Sequence, residues 1–70
     1  MTLTFEIQTP KININYSVIE HRLKRLDFVD CVFINKKNRL IEVYGTNQIH
    51  HKSPIILNTL YQIGYTLEKK

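Results

Sequence analysis

The sequence predicts an α+β fold, an open-faced sandwich with element order βαββαβ, on three observations. Two segments carry apolar residues at helical spacing, three apolar-rich runs have strand character, and Gly and Pro stand where those segments must start and stop. Helices at this spacing, with strands alternating in pairs around them, put both helices on one face of a four-stranded antiparallel sheet in spatial order 4-1-3-2.

From Thr2 to Gln8 apolar and polar residues alternate, with Leu3, Phe5 and Ile7 on one side, the pattern of a half-buried strand. Thr9-Pro10 stops it, because proline cannot donate to a ladder, and the Asn-rich run from Lys11 to Asn15 reads as a loop. Tyr16, Ile19, Leu23 and Leu26 then form one stripe of an amphipathic helix over residues 16 to 26. Either Asn15 or Ser17 suits its N-cap, the latter with Glu20 at capping-box spacing.

Val29 to Asn35 and Leu40 to Tyr44 are rich in β-branched and aromatic residues and flank the polar turn Lys36 to Arg39, which predicts a β-hairpin. Gly45 to His51 is polar and irregular. Ser53 followed by Pro54 reads as an N-cap and first helical position, opening a second helix over residues 54 to 63. Ile56, Leu60 and Ile63 point inward with Leu57 beside them, Gly64 closes the helix, and Tyr65 to Glu68 is a short last strand. The expected core is Leu3, Phe5, Ile7, Ile19, Leu23, Leu26, Val32, Ile34, Ile41, Val43, Ile56, Leu60 and Ile63.

Seventy residues make one domain at most, residues 1 to 70. Hydrophobic residues are 43% and charged residues 23% of the chain, which excludes the compositions of disordered and membrane-spanning segments. No membrane insertion is expected. The N-terminus lacks the features of a secretory signal, and a lone cysteine, Cys31, makes no internal disulfide. Both point to the cytoplasm. A net charge of +4 favours a protein partner with an acidic surface.

Specific residues now join this order of elements. Ile19-Glu20, Leu26-Asp27-Phe28-Val29, Val32-Phe33-Ile34, Ile41-Glu42-Val43 and Ile63-Gly64-Tyr65 together resemble the heavy-metal-associated domain of copper chaperones and P-type ATPases, a ferredoxin-like fold. The likeness spans nearly the whole chain. It implies a non-enzymatic, metallochaperone-like binding domain. The family's Gly-Met-x-Cys-x-x-Cys motif falls on Thr9 to Asn15, so its two cysteine positions hold Ile12 and Asn15. Ile12 has no donor atom and Asn15 only a neutral amide, whereas Cu(I) takes soft thiolates. The resemblance thus implies a degenerate member without a metal site, and Phe28 replaces the family's usual glycine. It also implies that the loop meets a partner protein, with Lys11, Asn13, Asn15 and Tyr65 as the docking residues. Equally, Tyr65 simply covers the end of the core.

Other chemistry is thinner. His50 and His51 are adjacent, His21 lies on the charged face of the first helix, and no Cys-x-x-Cys or His-x-x-x-His spacing accompanies them or Cys31. Metal binding through these unusual ligands is the alternative reading. Asp27 and Asp30 flank a turn as surface acids do, and no phosphate loop, nucleophile elbow or carboxylate pair suggests an enzyme or a cofactor. A second alternative is a basic nucleic-acid module. Against it, the open sheet face would carry Thr4, Glu6, Leu40, Glu42 and Tyr44, with two acids and one stacking aromatic. Leu40, Tyr44, Phe33 and Cys31 on that face instead suit a protein contact, and the chain is read as a monomer or weak dimer.

Overall fold

The computed structural model describes residues 1–10 and 13–70; Lys11 and Ile12 lie outside the described residues. In chain order the elements are β1 (Thr2–Ile7), α1 (Tyr16–Lys24), β2 (Val29–Asn35), β3 (Leu40–Gly45), a 3₁₀ turn (Ile49–Lys52), α2 (Ser53–Tyr61) and β4 (Leu67–Lys69). The strands form one antiparallel sheet in the order β2-β3-β1-β4. This is the predicted 4-1-3-2 arrangement.

Alternation along β1 decides which face is covered. Leu3, Phe5 and Ile7 are buried while Thr2, Thr4 and Glu6 are half-exposed. Phe5 sits opposite Ile41 and Leu3 opposite Val43, so the inward positions of β1 and β3 coincide and meet Ile19 and Leu23 of α1 and Ile56 and Leu60 of α2. All of these are buried apolar side chains in one cluster, and burial of this kind is the main favourable term in folding.

Three expected core residues are half-buried instead. α1 ends at Lys24, so Leu26 lies in the turn beyond it, where its N–H donates to the Leu23 carbonyl at 3.1 Å. Ile63 likewise follows the end of α2, and Ile34 stands on the edge strand near the hairpin turn, where α1 covers it from one side only. All three pack against the core without being enclosed by it. Their places are taken by Val29, Ile49 and Tyr65.

Ile49 is the larger departure. The segment from Gly45 to His51, read as polar and irregular, holds a 3₁₀ turn that drives Ile49 fully into the core. That turn runs straight into α2, so Ser53 is already helical and Lys52 holds the cap position with no side-chain cap. The expected Ser53 N-cap is therefore corrected: a helix entered from a preceding helical turn has fewer orphan N–H groups to satisfy. Gly45 permits the crossing, since a Cβ there would lie 2.2 Å from the Phe28 carbonyl oxygen and 2.6 Å from Ile49 Cδ1.

The last strand is shorter than expected for a related reason. Gly64 has φ 95°, the left-handed geometry that glycine adopts without strain, and Tyr65 N–H turns back to the Leu60 carbonyl at 2.9 Å while Gly64 N–H reaches Tyr61 at 3.0 Å. Such a Schellman-type close commits Tyr65 to the helix end. β4 begins only at Leu67 and pairs Leu67–Lys69 with Ile7–Phe5.

Candidate functional site

At one end of the sheet the β1–α1 loop, the β2–β3 turn and the α2–β4 connection meet. The loop is fastened on both sides. On the incoming side the Arg39 guanidinium donates from Nη2 to the Thr9 carbonyl at 2.7 Å, and Thr66 N–H donates to Thr9 Oγ1 at 2.6 Å. On the outgoing side Asn15 N–H donates to the Tyr65 hydroxyl at 3.1 Å, and the Asn15 side chain caps α1 by accepting from Val18 N–H at 3.2 Å. Asn15, not Ser17, is thus the N-cap.

The docking residues separate into two kinds. Asn13 and Asn15 are exposed and line an open groove of about 500 Å³ with Ile14, Tyr16, Ser17 and Lys36. Tyr65 is 7% exposed, so it supports the loop from below and offers a partner almost no surface. The reading of Tyr65 as a cover for the core end describes its ring, and its hydroxyl ties that cover to the loop. Lys11 and the cysteine-equivalent position Ile12 lie outside the described residues.

Basic side chains border the groove. Lys36 and Lys37 are exposed in the turn, with the Lys36 ammonium 5.7 Å from the Tyr16 ring centroid. Arg39 adopts φ 58°, unusual for a residue with a Cβ, which places its carbonyl to accept from Ile7 N–H at 2.9 Å. Nothing in a single basic turn residue announces this role, because it depends on which backbone the turn faces.

The histidines and cysteine do not converge. His50 and His51 are exposed on the 3₁₀ turn, at the sheet end where Gly45 N–H bonds the Met1 carbonyl, opposite the loop. His21 is exposed on α1, and Cys31 faces the open side of the sheet beside Tyr44. Among the described residues no three His, Cys, Asp or Glu side chains gather as a metal-ligand group.

The open face carries the residues expected of it, and the hairpin register brings its aromatics together. Phe33 and Tyr44 meet edge-to-face, with centroids 5.3 Å apart at 83°. Beyond them the face is ionic: Glu6 and Lys70 pair at 2.7 Å, a contact that lowers the Glu6 pKa and raises that of Lys70 through the hydrogen bond and the opposite charge.

Neither a protein-family model nor a curated protein matches the sequence. Solved structures do match the fold. The N-terminal domain of PacS from Synechocystis PCC6803 superposes with a TM-score of 0.80 at 16% identity, covering 100% of this chain and 97% of that one. The yeast copper transporter domain CCC2A, solved in apo and Cu(I)-loaded states, gives 0.83 at 14%, covering 99% and 93%. Oxidized MerP from Ralstonia metallidurans CH34 gives 0.80 at 14%, covering 100% and 96%. This chain therefore has, over its whole length, the ferredoxin-like fold of these domains, which is the fold that the heavy-metal-associated resemblance implied.

Proposed function

We propose that the chain is a non-enzymatic, cytoplasmic docking domain of the heavy-metal-associated type that keeps the metallochaperone scaffold without its thiolate site. One observation carries the reading: Asn15, at the position of the second family cysteine, spends its side-chain oxygen on capping α1 and its N–H on Tyr65. Thr9 and Asn15, on either side of the loop, are held by hydrogen bonds that need no metal. Asn13 and Asn15, with Tyr65 beneath, then form a polar surface flanked by Lys36 and Lys37, whose charge, together with that of Lys11 in the adjoining sequence, suits a protein partner with an acidic face.

The experiment installs a photo-crosslinking amino acid at Asn13 and, separately, at His50 on the opposite end, followed by mass spectrometry of the captured protein. Capture from position 13 alone, reduced by the pair Lys36→Glu and Lys37→Glu, is the expected result; equal capture from both ends would remove the loop as the docking surface. The scaffold is tested separately by Ile12→Cys with Asn15→Cys. The double variant should compete with a chromogenic Cu(I) chelator where the natural chain does not, at a metal-free stability cost of about 1 kcal/mol for the lost cap.

A further inference from the structure

Strand β2 is an edge of the sheet, paired with β3 on one side only. Soluble proteins blunt such edges with bulges, prolines or charges, since the unpaired N–H and C=O groups otherwise accept another strand. Here the blunting is confined to the two ends. The register breaks between Val29 and Cys31, leaving Asp30 as the bulged residue, and Lys36 and Lys37 follow the last strand residue. The stretch between them, Cys31-Val32-Phe33-Ile34-Asn35, has neither charge, Gly nor Pro, and its central residue Phe33 is 57% exposed.

Helix α1 packs over β2 and leaves an open groove beside it. Tyr16, Ser17 and Glu20 form one wall and Val32, Phe33 and Ile34 the other of an open groove of about 480 Å³. A groove between an edge strand and a helix is the shape that admits an added strand.

Charge selects the occupant. The strand is self-complementary in charge: Asp30 stands at one end and Lys36 with Lys37 at the other, while Glu20 across the groove pairs with Lys24 at 3.8 Å. We infer that the occupant is β2 of a second copy, added antiparallel about a two-fold axis through Phe33. Phe33 then faces Phe33, Cys31 faces the second copy's Asn35, and Asp30 meets the second copy's Lys36 twice by symmetry. Two four-stranded sheets become continuous. The Phe33–Tyr44 pairs of both copies line up on the shared open face, an isologous and closed interface.

So short an interface predicts weak association, seen by sedimentation between about 10 μM and about 1 mM, near the lower end of specific interfaces. Because Cys31 faces Asn35, the dimer should be indifferent to reductant. Asp30→Lys and Lys36→Glu should each weaken it by about tenfold or more, while an equal mixture of the two variants re-associates as a heterodimer. Phe33→Asp should abolish it with the circular dichroism spectrum unchanged, since that side chain lies outside the core. A monomer throughout the range would overturn the inference and leave the edge to an extended segment of another protein. A dimer that dissolves in reductant, or whose charge variants show no preference for each other, would overturn it as well.

Discussion

Tyr65 does two jobs that its position alone would not separate. Its ring is core and its hydroxyl accepts the Asn15 N–H, so Tyr65→Phe removes that partly buried hydrogen bond while keeping the packing. Urea unfolding should show a loss of about 1 kcal/mol, the usual net worth of such a bond. The Glu6–Lys70 pair behaves differently because both groups are in contact with solvent. A lowered Glu6 pKa means its stabilisation is present above the ordinary carboxylate range and is lost as pH falls through the folded value. A raised Lys70 pKa means the contribution is present below the ordinary lysine range and lost as pH rises through the folded value. Glu6→Gln should therefore flatten the acid limb of a melting-temperature profile, and salt should shrink the difference from the natural chain.

At the level of elements, the connections carry more of the architecture than their composition suggests. The 3₁₀ turn places Ile49 at 0% exposure beneath Gly45, so Ile49→Ala should cost about 2 to 5 kcal/mol, as for any enclosed large-to-small change. A loss within the error of a urea titration would show that the turn is peripheral. The end of α2 depends on backbone geometry instead. At φ 95°, Gly64→Ala should cost about 1 to 2 kcal/mol with no lost side-chain contact, because only glycine occupies that region freely.

For the molecule as a whole, the core is small enough that one residue weighs heavily. Leu23 is wholly buried between α1 and the sheet, and Leu23→Ala should cost about 2 to 5 kcal/mol of a total stability on the order of 5 kcal/mol, leaving much of the chain unfolded at body temperature. Basic residues cluster on the same scale. Arg22 and Lys24 lie on α1 with Arg25 at its C-cap, and Lys36 and Lys37 at the loop end. Association through the loop end should accordingly weaken with salt, as steering by a local field does.

Residue spacing by itself determined the two helices and four strands, their order and the stripes Leu3-Phe5-Ile7, Ile19-Leu23 and Ile56-Leu60, because alternation and helical periodicity are local properties that burial then enforces. It also showed that Ile12 and Asn15 stand where the resemblance puts thiolates. Tertiary structure alone decided the rest. Ile49 is buried only because the 3₁₀ turn and Phe28 close on β3 at Gly45; Arg39 holds Thr9 only because the hairpin turn folds against β1; and Phe33 meets Tyr44 only in the hairpin register that pairs Cys31 with Tyr44 and Phe33 with Glu42. Each is a contact between residues distant in sequence, whose geometry depends on several elements at once, and no local pattern in the chain encodes it.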